Sequence, residues 1–173
     1  MTKGALYRHY KSKRDIFDSI VKRMEQQDSE QARENEVPEE SIEKTPEEYQ
    51  NISFDDFVEY SKSMFEYWTE DDFASSFRKM LTIEQFRSEE MQGLYQQYLS
   101  SGPAAYVKDL FESMGIAHAE ENAVRFYATM YFYYSVYDGA DDKEKVKNEF
   151  ASAIGSMAQE WIKQPKLTQI RKS

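Results

Sequence analysis

An all-α fold is predicted by three features of this 173-residue chain. Apolar residues recur at helical spacing through almost every segment. Only 6 Gly and 4 Pro punctuate the chain, too few for the many turns of an all-β protein. Apolar residues make up 40% of it, with 11 Phe and 13 Tyr, enough to fill a sizeable helical core. The length fits one domain with a short appendage. There is no cysteine, so neither a disulfide framework nor a thiolate metal site is expected. No apolar run approaches the roughly 20 residues of a membrane span. The basic N-terminus lacks the apolar stretch of a signal peptide. A cytoplasmic protein with no membrane partner is therefore expected.

Taken in order, the first long helix is marked by Ile16, Phe17, Ile20, Val21 and Met24 on one stripe. Ser12 is its predicted N-cap, with Asp15 in the first turn. It is expected to run to about Asn35, its far half polar. Residues 35–52, NEVPEESIEKTPEEYQNI, hold two prolines and six glutamates with no apolar period, and read as a long acidic loop. Ser53 should cap a helix carrying Phe54, Phe57, Val58, Met64, Phe65 and Trp68. The TEDD segment breaks it and starts another, with Phe73, Phe77, Met80 and Leu81; Ile83 and Phe86 lead on to Met91, Leu94, Tyr95, Tyr98 and Leu99. SSGP at 100–103 is a turn, with Pro103 suited to a first helical position. Tyr106, Val107, Leu110, Phe111 and Met114 follow, stopped by Gly115.

Residues 119–137 form a helix apolar nearly all round, predicted to be buried on more than one side. DGADDKE then turns, with Asp141 and Glu144 spaced as a variant capping box. The last helix, about 142–163, carries a bulky stripe of Val146, Phe150, Ile154, Met157 and Trp161. Beside it runs a stripe of small residues, Ala151, Gly155 and Ala158. A helix with a bulky face and a small face can pack on its own core and on a partner chain at once. A homodimer is expected, built on Tyr133 and Tyr137 of one helix and Ala151, Gly155, Ala158 and Ile162 of the other. A single-chain core with no partner is the competing account.

Charge is unevenly placed. Residues 1–23 hold seven Lys/Arg and two Asp, whereas the whole chain carries a formal −10. A basic start on an acidic body suggests two jobs, one of them facing nucleic acid. The start reads TKGALYRHYKSKRDIF, and in it Thr2, Lys3, Gly4, Leu6, Tyr7, His9, Tyr10 and Lys13 fall in step with a known pattern. The run resembles the end of the DNA-binding module of the TetR family of bacterial transcriptional regulators: a short recognition helix, Tyr-x-His-Phe/Tyr, a turn, then Lys at the start of a long helix.

The resemblance implies a helix-turn-helix remnant over 1–12 and a TetR-like helical ligand-sensing and dimerisation domain over 13–173. It implies DNA contacts at Thr2, Lys3, Gly4, Tyr7, His9, Tyr10 and Lys13, the recognition helix entering the major groove by its N-terminal end. The two helices that would position it are expected before this motif, and Met1 stands where the turn should be. A recognition helix of under about ten residues is not stable by itself. This chain alone is therefore expected to bind DNA poorly, and operator DNA is a partner only with those helices present. The alternative is a reader-less dimerising fragment that binds ligand or titrates a full-length relative.

The resemblance further implies a small-molecule effector in a cavity between helices, whose binding moves the long helix over about 13–34. The aromatic and Met content suits an apolar or aromatic ligand. Candidate contacts are Met64, Phe65, Trp68, Phe77 and Met80, and further along Phe86, Tyr95, Tyr127, Tyr131 and Tyr134. Plain core packing is the competing account of each, and the tyrosines are favoured because a buried hydroxyl needs a partner.

Catalysis, cofactor and metal are not expected. A di-metal bundle needs Glu-x-x-His on two helices, and neither His9 nor His118 has Glu three residues before it. Cysteine nucleophiles are impossible, Gly-rich phosphate loops are absent, and Asp71-Asp72 and Glu89-Glu90 point apart on their helices.

Overall fold

The computed structural model describes residues 11–34 and 53–163, and every element among them is an α-helix. We label them α1 (Lys13–Glu34), α2 (Phe54–Glu70), α3 (Asp72–Glu84), α4 (Glu89–Leu99), α5 (Ser101–Ser113), α6 (Ala119–Gly139) and α7 (Lys143–Lys163). The chain separates into two compact units, Met1–Glu39 and Glu40–Ser173, with α1 in the first and α2 to α7 in the second.

In the first unit, the Ser12 hydroxyl accepts the Asp15 amide at 3.1 Å, and Asp15 Oδ2 accepts the Lys11 amide at 2.8 Å. The Ser12 bond satisfies an orphan donor of the first turn, and the Asp15 bond ties down the residue before the cap. Arg14 pairs with Asp18 one turn on, at 2.7 Å.

In the second unit α2 is the central helix, packing against α3, α6 and α7. It starts on a full capping box between Ser53 and Asp56. The Ser53 hydrogen bond holds the Asp56 carboxyl below the usual carboxylate range. Asp71 ends α2 and caps α3, its side chain accepting the Phe73 and Ala74 amides. Between α4 and α5 the turn shrinks to one residue, Ser100, at φ −141°, ψ −108°. Pro103 thus lies two residues inside α5 rather than at its first position. Gly115 stops α5 at φ +72°, the Ile116 amide reaching back to Phe111 O and the Gly115 amide to Glu112 O; this pairing satisfies the orphan carbonyls of the last turn. The cap of α7 is Asp142, whose carboxylate accepts the Lys145 amide at 3.0 Å, and not Asp141. Lys143 donates to the carbonyls of Tyr137 and Asp138, closing the C-terminal end of α6.

The spacing Phe57, Ser61, Phe65, Trp68 puts one face of α2 into the core. Two aromatic clusters form along it. Phe57 meets Phe111, Phe126 and Trp161, with Phe111 and Trp161 4.7 Å apart between centroids. One turn-pair further, Phe65 stacks on Phe150 at 4.3 Å and on Tyr134 at 5.5 Å. Each well-oriented ring pair adds about 0.5–1.5 kcal/mol beyond its burial.

Three placements differ from the sequence reading. α6 buries Phe126, Tyr127, Met130, Tyr134 and Tyr137, but Val124 and Phe132 are 57% and 61% exposed, so it is not covered all round. Ala158 takes the core place expected of Met157, which is half-buried. Phe86 stands 87% exposed in the turn after α3 rather than joining the interior rings.

Candidate functional site

The most unusual interior group is one that hydrophobic periodicity does not register. Arg78 of α3 is only 5% exposed. Its Nε donates to Trp68 O at 3.0 Å and its Nη2 to Asp138 Oδ1 at 2.8 Å, tying α2, α3 and α6 together. Its guanidinium also lies over the Tyr134 ring, 5.0 Å from the centroid. Lys79 reaches the same Asp138 oxygen at 3.3 Å. Two cations thus share one carboxylate and leave a local excess of positive charge in a protein of net −10. Partial burial works against Asp138 ionising, yet the Arg78 hydrogen bond and the two cations hold its carboxyl below the usual range.

Tyr134 and Tyr127 lie within reach of this cation, and Tyr131 and Tyr95 continue the cluster from them. Tyr127, Tyr131 and Tyr134 follow each other along α6, with ring centroids 6.4 and 6.3 Å apart. Tyr95 of α4 and Tyr131 share a hydrogen bond between hydroxyls at 2.9 Å. Burial and then the Tyr131 hydrogen bond push the Tyr95 phenol up to about 12. Burial also raises Tyr127, assisted by Tyr131 and Tyr95 and opposed by Arg78. Tyr134 is raised well above its ordinary value by burial and then by Tyr127, again against Arg78. Among the described residues no hydrogen bond reaches the Tyr127 or Tyr134 hydroxyl.

The predicted ligand contacts divide accordingly. Phe65, Tyr95, Tyr127, Tyr131 and Tyr134 come together, with Trp68 joined through Arg78. Phe77 packs elsewhere, against Phe73 and Tyr98. Met64 and Met80 are half-buried, and Phe86 is on the surface. Arg78 was missed because a lone arginine in SSFRKML reads as the polar side of an amphipathic helix; only the fold shows it facing inward.

Of the predicted dimer residues, Ile162 is 48% exposed, and Tyr133, Ala151 and Gly155 are half-buried. A Cβ on Gly155 would meet open space. Tyr137 and Ala158 instead face the protein's own core, at 8% and 4% exposure, and Tyr137 donates to Glu70 at 3.1 Å. Val124 and Phe132 are the outward apolar residues of α6 that the sequence reading did not single out for this role. Of the predicted DNA contacts, Lys13 opens α1 and is exposed. Thr2, Lys3, Gly4, Tyr7, His9 and Tyr10 lie outside the described residues.

Away from Arg78, a recess of about 310 Å³ lies where Ser53–Asp55, Met114–Ala117 and the end of α7 meet. Trp161 lines it, but its indole nitrogen is sealed among rings and has no hydrogen-bond partner. Among the described residues there is no group of three or more His, Asp or Glu placed to hold a metal ion, and no helix long and apolar enough to cross a membrane. His118 is exposed at the start of α6, with φ +53°. No protein-family model, curated protein or solved structure matches the chain.

Proposed function

We propose that this chain is the effector-sensing and dimerising part of a TetR-like transcriptional regulator, acting as a repressor, with Arg78, Tyr95, Tyr127, Tyr131 and Tyr134 as its effector site. The observation that carries the reading is the inward-facing Arg78, set over the Tyr134 ring where three helices meet. A purely structural core of this size needs no inward-facing ion pair, since packed apolar residues in place of both partners are commonly as stable or more so. A buried cation beside aromatic rings is what a ligand with an apolar body and a polar handle requires. Support at the N-terminus comes from the run Thr2 to Lys13, whose resemblance to a DNA reader is independent of this site.

The mechanism follows from the bonds of Arg78. A ligand that engages the guanidinium competes with Trp68 O and Asp138, the two groups by which it ties α2 and α6 to α3. Binding then redistributes those helices, and only a ligand with different affinity for the two arrangements shifts their populations. The outward apolar residues Val124, Phe132 and Ile162, with Ala151 and Gly155, supply the dimer face.

The test combines three readings on the purified chain. Sedimentation is expected to give the mass of two chains. Tryptophan fluorescence is expected to respond to members of an aromatic compound library. The DNA flanking its own gene is expected to be retarded in a gel, and released by a compound that binds, only when the two helices expected before Thr2 are joined to the chain. A monomer at all concentrations that binds no compound sinks the proposal. A ligand-binding dimer that retards no DNA narrows it to a sensor without a reader.

A further inference from the structure

The recess at the start of α2 lies away from Arg78 and is independent of the sensor site proposed above. Three segments build it: Ser53–Asp55, Met114–Ala117 at the corner after α5, and Trp161 with Ile162 near the end of α7. Its volume of about 310 Å³ falls at the small end of ligand sites. Ile116 and Trp161, 5% and 2% exposed, back it with buried apolar surface. Phe54 and Met114 line it half-buried, and the Phe54 ring joins neither aromatic cluster of the core. Ile162 also lines it and is shared with the proposed dimer face. Apolar side chains that the core leaves partly uncovered thus converge on one concave surface, unlike apolar residues scattered singly.

The polar side chains of the lining narrow the chemistry of the ligand. The Ser53 hydroxyl is engaged in the capping box, accepting the Asp56 amide at 3.1 Å and donating to the Asp56 carboxylate at 2.6 Å. The Trp161 indole nitrogen is enclosed and offers no hydrogen bond at the recess surface. The Asp55 carboxylate remains, exposed and engaging no hydrogen bond or ion pair among the described residues. No Lys, Arg or His lines the recess. Asp56, one residue on, adds a second carboxylate at this end of α2. The positive end of the helix dipole is therefore already complemented.

We propose that this recess binds a small molecule with a one- or two-ring aromatic body and an ammonium head. The body packs on Phe54, Met114, Ile116 and Trp161, and the head pairs with Asp55. The two aromatic side chains of the lining add attraction for a cation. A carboxylate on the same body would meet Asp55 with no cationic side chain in the lining to answer it.

Calorimetric titration of the purified chain with 2-naphthylmethylammonium, 2-naphthylmethanol and 2-naphthoate tests this. The ammonium compound is expected to bind about threefold tighter than the alcohol and about tenfold tighter than the carboxylate. Asp55→Asn is expected to remove the advantage over the alcohol and leave the alcohol's own affinity in place. Ala117→Phe, which fills the recess from its wall, is expected to weaken all three at least about tenfold with helix content unchanged by circular dichroism. If that variant fails to fold, the three compounds with Asp55→Asn decide by themselves. Equal binding of the three, or an ammonium preference that survives Asp55→Asn, overturns the assignment. Full affinity in a folded Ala117→Phe does so too. Binding lost in Tyr127→Phe but kept in Asp55→Asn places the compound at the Arg78 cluster, overturning the recess and supporting the sensor site. Failure of the ammonium compound to bind overturns the recess and leaves the sensor site standing.

Discussion

At the scale of single residues, energy concentrates on Arg78. Removing one partner of a buried ion pair strands the other, and here it also strands Trp68 O at the end of α2. Arg78→Met is expected to destabilise by about 3 kcal/mol in urea denaturation. Arg78→Met combined with Asp138→Asn should cost less than the two changes summed, by about 1 kcal/mol or more, because they share one interaction. The phenols set a separate expectation for pH. Burial and the Tyr131 bond favour the protonated Tyr95 in the folded chain, up to about 12 against an ordinary 10.0. Between those values the unfolded chain loses its proton first, so stability is full below about pH 10 and falls as pH rises toward 12. Urea midpoints across this window should decline less steeply in Tyr95→Phe than in the parent chain.

At the scale of elements, the corners decide how helices follow one another. Gly102 sits in the first turn of α5, where an added Cβ would meet the Gln97 carbonyl oxygen of α4. That neighbour is backbone and cannot swing aside. Gly115 holds φ +72°, where a side chain is strained. Gly93, in the middle of α4, has open space around it. Alanine is therefore expected to act with opposite signs: Gly102→Ala destabilises by about 2 kcal/mol, Gly115→Ala by about 1 kcal/mol, and Gly93→Ala stabilises by about 1 kcal/mol. Thermal unfolding of the three variants checks the order. The caps were the most legible of these features, because a cap is a contact between near neighbours in sequence: Ser12, Ser53 and Gly115 act where their residue types predict. Asp142 in place of Asp141 was a shift of one position, as expected where consecutive aspartates offer equal chemistry and helix geometry chooses between them.

At the scale of the whole molecule, the exposed side of α6 is the face on which the proposed dimer would be built. An aromatic residue 61% exposed on a long helix, with Val124 two turns before it, is the kind of anchor that dimer interfaces bury. Phe132→Glu is expected to raise the dimer dissociation constant by at least about tenfold while leaving the monomer's fold intact, since the core loses little there. Sedimentation with circular dichroism separates the two effects. A dimer unaffected by this change would place the interface elsewhere.

The sequence by itself determined the all-helical class, the helix starts and stops, and most of the core, because these follow from periodicity and local hydrogen bonding within a few residues. It also carried the basic N-terminal run and the tyrosine content of the interior. Only the tertiary structure decided which face each helix turns inward. That choice buried Arg78, exposed Phe86 and Phe132, moved Tyr137 and Ala158 from an expected partner surface to the core, and joined Tyr95 to Tyr131 across 36 positions of chain. The physical reason is that burial is a property of neighbours far away in sequence. The helical period marks a stripe, but the packing of α2, α3 and α6 against one another determines which polar side chain is enclosed with it.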